Sequence, residues 1–206
     1  MRIIKISFAL LISLIVSTSM FAQLPLTFGV KAGMNLSEIQ KMEDKIKVGF
    51  NIGVTAELAL PSNFYLLSGL EFTTKGAKGK EMSLTLPGGK NSVTDKASYN
   101  AMYLQLPIHA GYKFDIAPGT KLLVHLGPYF AYGVGGKIKW DKKEIEDQDF
   151  FHDDSNKFDF GIGGAVGVEF FERIEISLAA DQGLTKIYKD TKMKNRAAYI
   201  NLGYKF

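Results

Sequence analysis

Residues 26–36 read Leu-Thr-Phe-Gly-Val-Lys-Ala-Gly-Met-Asn-Leu, and this order decides the fold. Leu26, Phe28, Val30, Ala32, Met34 and Leu36 share one parity, whereas Thr27, Gly29, Lys31, Gly33 and Asn35 share the other. Successive side chains of an extended chain point to opposite faces, so the stretch is a ribbon with one apolar and one polar face. A helix would scatter the same residues around its axis.

The pattern recurs seven times. Phe50, Ile52, Val54, Ala56, Leu58 and Leu60 oppose Asn51, Gly53, Thr55 and Glu57. Phe64, Leu66, Leu70 and Phe72 oppose Tyr65, Gly69, Glu71 and Thr73. Leu104 to Phe114, Leu122 to Tyr132, Phe158 to Phe170, Ile174 to Ala180 and Ile200 to Phe206 continue it. Eight antiparallel strands are expected. Their connections alternate between short and long. Pro61-Ser62-Asn63, Asp115 to Thr120 (with Pro118-Gly119) and Phe171-Glu172-Arg173 are tight turns, while Ser37–Ile46, Ala77–Asn100, Lys137–Lys157 and Thr185–Arg196 read as long loops. An up-and-down meander then carries every long loop at one end, and the short turns with both termini at the other. Transmembrane barrels have this asymmetry.

A soluble lipocalin-like barrel fits the same alternation turned inside out. Aromatic placement separates the two. The apolar face carries Phe28, Phe64, Tyr112, Phe114, Phe170, Tyr204 and Phe206 towards the short-turn end. It carries Phe50, Phe72, Phe130, Tyr132, Phe158 and Phe160 towards the long-loop end, with aliphatic side chains between. Two aromatic girdles around an aliphatic band are expected at two membrane interfaces. The fold class expected is therefore all-β, an eight-stranded antiparallel up-and-down transmembrane β-barrel. The other face mixes glycines with Lys31, Glu57, Glu71, Lys113, Asp159, Glu169, Glu175, Asp181 and Lys205, a polar filling for a narrow lumen.

Composition agrees. The chain has 206 residues, 46% apolar, 21 glycines and no cysteine, which excludes wholesale disorder, a disulfide scaffold and thiolate chemistry. Residues 1–22 read as a cleaved signal peptide, with Arg2 and Lys5 before the apolar run Ile6 to Val16 and Ala22 as the last residue removed. Residues 23–206 are then a single barrel domain. Losing Arg2 and Lys5 lowers the formal charge from +4 to about +2. No clustered basic face suited to nucleic acid remains.

The segments GVKAGMNLS (29–37), YLQLPIHAGYKF (103–114), GPYFAYGVGGKI (127–138), DFGIGGAVGVEF (159–170), DQGLTKI (181–187) and NRAAYINLGYKF (195–206) resemble the outer-membrane β-barrel domain of the PorT family of Gram-negative bacteria. The resemblance implies an integral outer-membrane location, with the long loops extracellular and both mature termini periplasmic. Through the family's founding member it implies a link to protein secretion. Outer-membrane lipids and other envelope or secretion proteins are the expected partners.

No catalytic motif accompanies the pattern, and neither an enzyme nor a bound cofactor is expected. His109 and His125 face the lumen on neighbouring strands at similar distances from the Pro118-Gly119 turn. They form a polar pair, or two ligands of a metal site completed by Glu57 or Glu169. Ser68 lies on the lipid face away from any histidine, and Ser177 faces the lumen on another strand, so no Ser-His-acid arrangement emerges. Glu144, Glu146, Asp147, Asp149, His152, Asp153 and Asp154 cluster in the loop Lys137–Lys157 without calcium-loop spacing, which reads as a solvated loop of mixed charge. Lys186, Lys189, Lys192, Lys194 and Arg196 make another loop basic, suited to lipid headgroup phosphates. The runs 133–136 and 161–164 lack a phosphate-loop lysine and belong to strands. Pro107 and Pro128, inside strands, are expected at bulges. The role that follows is structural or interactive within the envelope; the alternative is a barrel that handles lipid or a small ligand.

Overall fold

The computed structural model describes residues 25–40, 46–85, 92–140, 147–151, 155–188 and 191–206. Residues 1–22, expected to be a signal peptide, lie outside these. The described residues form nine strands: β1 (Leu26–Ile39), β2 (Lys47–Ala59), β3 (Phe64–Thr85), β4 (Ser92–Ala117), β5 (Thr120–Trp140), β6 (Gln148–Asp149), β7 (Phe158–Phe170), β8 (Ile174–Gly183) and β9 (Asn195–Lys205). Every pairing between them is antiparallel. The sheet runs β4-β3-β2-β1-β9-β8-β7-β5, and a β4–β5 ladder closes it into an eight-stranded barrel. The two-residue β6 lies outside the ring as an arm on β5. No helix among the described residues is long and apolar enough to cross a membrane, which says nothing against crossing with strands.

Side chains fall on the expected faces. Phe28, Val30 and Met34 of β1 are exposed on the outer wall, while Asn35 and Ser37 are buried inside. The aromatic girdles pack laterally. Phe64 meets Tyr112 edge-on at 4.9 Å between centroids, and Phe130 lies 5.2 Å from Phe160. At two tight turns, Ser62-Asn63 and Phe171-Glu172 adopt positive φ at both central residues, as hairpins that match the strand twist require. Gly119 does the same at φ +71° in the β4–β5 turn.

Two expectations are corrected. The segment Ala77–Asn100, read as a long loop, is mostly a continuation of β3 and β4, which reach 22 and 26 residues. The start of Lys137–Lys157 likewise extends β5 to 21 residues, and β6 pairs back onto it. A bilayer needs only about 9–11 tilted strand residues. Strands β7, β8 and β9, with 13, 10 and 11 residues, stay near that length. The sheet β3–β4–β5 therefore projects well past the apolar band. Its outward row there (Thr74, Gly76, Lys78) is no longer apolar, so the alternation fades although the strands continue.

The second correction concerns the prolines. Register is unchanged on either side of Pro107, with Ser68 opposite Ile108 and Glu71 opposite Gln105. Pro128 pairs in step with Ile162. The ladder tolerates each missing donor without inserting a residue. Near Pro107, Ser68 Oγ donates to the Pro107 carbonyl at 2.9 Å, so the hydroxyl serves the backbone.

Candidate functional site

The lumen is filled in three layers. At the short-turn end, β2, β4, β7 and β9 direct Glu57, Lys113, Glu169 and Lys205 to one point. Lys205 Nζ lies 2.5 Å from both Glu57 Oε2 and Glu169 Oε2. Lys113 Nζ lies 2.5 Å from Glu57 Oε1 and 3.1 Å from Glu169 Oε2. Each carboxylate is shared by both ammonium groups, which closes a ring of alternating charge, with Glu175 at its margin, 3.8 Å from Lys205. Glu169 is 1% exposed. Charges so enclosed persist only when paired and hydrogen-bonded.

The middle layer holds the histidines. His109 stands opposite Leu67 of β3, and His125 opposite Gly111 and Ala165, so the two are diagonal neighbours rather than a direct pair. Their Nδ1 atoms are 2.8 Å apart, a hydrogen bond that needs one ring to donate and the other to accept. Glu57 and Glu169, the acids expected to complete a metal site, are held instead by Lys113 and Lys205. Among the described residues no three His, Cys, Asp or Glu side chains form a group able to hold a metal. Lys31 pairs with Glu71 at 2.6 Å, and Asn51 Nδ2 donates to Asn201 Oδ1 at 2.8 Å. A chamber of about 50 Å³ lies among these groups, room for a few water-sized molecules.

Above it sits Lys75, 1% exposed and missing from the expected lumen charges because the outward alternation ends at Phe72. Its parity, shared with Glu71 and Thr73, was the signal. Lys75 Nζ donates to Gln105 Oε1 at 2.8 Å, with Asp159 and Asp181 at 3.6 and 3.8 Å and the Tyr129 ring at 4.4 Å. Asp181 also accepts from Gln105 Nε2 and from the Tyr199 hydroxyl. Asp159 accepts from Thr185, Asn195 and Tyr129.

The mouth is apolar. Ile39, Ala77, Ala101, Tyr103, Tyr129, Ala131, Ile138 and Ile187 surround Phe150, which is 0% exposed. Phe151 packs edge-on against Tyr103 at 5.6 Å and covers Gly133, where any Cβ would strike its ring. Both phenylalanines come from the loop expected to be solvated and mixed in charge. Its residues Glu144, Glu146, Asp153 and Asp154 lie outside the described residues, and Asp149 is exposed on β6.

Of the basic loop, Lys186 and Lys192 are exposed, Lys194 is half-buried, and Lys189 lies outside the described residues. Arg196 is on the outer wall of β9, where it meets Glu38 of β1 at 3.2 Å and Gln182 of β8 at 3.1 Å. This polar rung directly follows the apolar rung of Leu36 and Ala198.

Sequence comparison adds the family. The family described as "Outer membrane protein beta-barrel domain" matches residues 21–189. The chain belongs to the outer membrane protein beta-barrel domain family. No curated protein sequence matches it. Among solved structures it is similar to OprG from Pseudomonas aeruginosa, with 11% identity, 87% of this chain and 95% of that one covered, and a TM-score of 0.51. Neisserial surface protein A gives 12% identity, the same coverages and a TM-score of 0.50. Identities this low speak for the fold alone. Family and fold together make the protein a small integral barrel of the outer membrane.

Proposed function

We propose that the protein is a sealed structural or interaction component of the outer membrane, acting through the surfaces it presents rather than through its lumen. The observation that carries this reading is the filling of the lumen: a charge ring, a polar middle layer, the Lys75 network and the Phe150 cap follow one another from end to end. An eight-stranded barrel is just wide enough for such a filling.

In this reading the long-loop end, with the β3–β4–β5 projection, faces the cell exterior, and the short turns and mature termini face the periplasm. The asymmetry of strand and loop length supports that orientation. Lys186, Lys192, Lys194 and Arg196, with Lys189, meet lipid headgroups at the outer rim. The resemblance to the PorT family supports a partner among envelope or secretion proteins. The protein itself carries out no reaction; the Ser68 hydroxyl is committed to the Pro107 carbonyl and the two imidazoles to each other.

Crosslinking in intact cells, followed by purification from the outer membrane, tests this. Recovery with a stoichiometric protein partner is expected. Recovery with lipid alone would favour the alternative role in handling lipid.

A further inference from the structure

The outward face of the projecting sheet carries a set of lysines that the barrel itself does not use. Rungs across β3, β4 and β5 can be followed upward from the apolar band. Phe72, Leu104 and Tyr132 form one rung, and Gly76, Asn100 and Lys137 form a higher one. Next come Lys78, Ser98 and Lys139, with both lysines opposite the same serine. Lys78 and Lys139 are exposed. Flanking a single strand, their Cα atoms are about 10 Å apart, within reach of one small anion for two long side chains.

A third lysine arrives from elsewhere in the chain. The stem of Lys47, at the start of β2 and opposite Ser37, passes beside Gly76, with Cδ 3.3 Å from where a Cβ would stand. Its Nζ donates to the carbonyl of Tyr99, next to Ser98, at 2.9 Å. Partial burial, and then the charges of Lys139 and Lys78, lower the Lys47 pKa to about 8. Among the described residues none of the three lysines has an ion-pair partner. Of the acids on this sheet, Asp149 stands opposite Lys137, one rung nearer the membrane, and Glu81 opposite Lys96, one rung farther out. Elsewhere on the same rim Arg196 is already paired with Glu38.

Position supplies the second half of the argument. Ser98 lies four residues beyond Met102, where the apolar row of β4 ends. For a tilted strand that is about 10 Å above the hydrocarbon edge, the depth of lipid headgroups. The face is continuous below with Leu104, Tyr132 and Val134, all exposed and apolar. A ligand that fits both parts is anionic at one end and carries acyl chains at the other.

We propose that Lys47, Lys78 and Lys139 bind the phosphate of a phosphorylated glycolipid of the outer leaflet, whose acyl chains lie on the wall formed by Leu104, Tyr132 and Val134. The proposal rests on the reading of this end as the outward-facing one. Clustered ammonium groups repel one another until an anion of multiple charge neutralises them, and the wall beneath selects a lipid over a free anion.

The test uses the full mature barrel in nanodiscs of zwitterionic phosphatidylcholine. Three probes are titrated: bis-phosphorylated lipid A, the same lipid stripped of phosphate, and inorganic pyrophosphate. Trp140, the only tryptophan of the chain and the neighbour of Lys139, reports binding by fluorescence, and native mass spectrometry counts retained lipid. Saturable binding of lipid A is expected, at least tenfold weaker in K78Q/K139Q and unchanged in K121Q, a lysine of the short-turn end that pairs with Glu172. The double variant keeps the Lys47 bond to Tyr99, and heat-dependent gel mobility checks that it is folded. Equal binding of the stripped lipid, unchanged binding by folded K78Q/K139Q, or pyrophosphate binding as tight as lipid A would each overturn the proposal. Failure of a membrane-impermeant maleimide to label Lys192→Cys in intact cells would instead overturn the outward-facing reading beneath it.

Discussion

Lys205 and Phe150 sit at opposite ends of one lumen, each almost fully enclosed, yet the first is gripped by two carboxylates and the second by aromatic and aliphatic side chains. The difference follows from what positions them. Glu57, Lys113 and Glu169 project from strands joined by tight turns, and Lys205 from the last strand, held between Gly29 of β1 and the Arg173 carbonyl, so ladder hydrogen bonds fix all four backbones. Only such a frame can hold the geometry that a buried ion pair needs to offset desolvation. Phe150 comes from a loop anchored by the short arm β6. Apolar contact is non-directional and tolerates a less exact placement. Rigid strands are sealed with charge, and a loop-borne cap with hydrocarbon.

The largest effect should come from breaking the charge ring. Lys205→Met leaves Glu57 and Glu169 with Lys113 alone, at a cost of about 3–5 kcal/mol. Urea unfolding in detergent, followed by gel mobility, measures this, and a loss below about 1 kcal/mol would show that the ring is not a sealed layer. Phe150→Ala removes the centre of the cap, and a buried Phe→Ala change costs about 3–5 kcal/mol in a rigid core. The arm can collapse into the space, so the lower end of that range or less is expected; a cost above that of Lys205→Met would reverse the comparison. The smallest change belongs to the outer rim. Arg196→Gln loses a half-exposed pair with Glu38 and should cost less than about 1 kcal/mol in the same unfolding measurement.

The barrel body was legible because lipid on one side and a narrow polar lumen on the other force a strict two-residue period. Facing, strand count and tight turns all follow from that contrast. The contrast ends at the membrane surface. Beyond Phe72 the outward residues of β3 are Thr74, Gly76 and Lys78, so a continuing strand reads as a loop, and Lys75 escapes notice with it. Phe150 and Phe151 were hidden for a related reason: two adjacent aromatics carry no period, and acidic residues surround them. The adjacency of His109 and His125 was legible because the β4–β5 turn sets their register. That Glu57 and Glu169 belong to lysines was not, since Lys113 and Lys205 meet them only when the ring closes. The basic face around Ser98 depends on a β3–β4–β5 register that sequence alone left as loop.

Single-channel recording in planar bilayers tests the sealed lumen most directly, using the native barrel and the Phe150→Ala/Phe151→Ala variant. With the charge ring and the Lys75 network intact below the cap, neither protein should open a steady ohmic conductance at either polarity. A stable conductance from the native barrel, of the size given by a water-filled pore, would contradict the account.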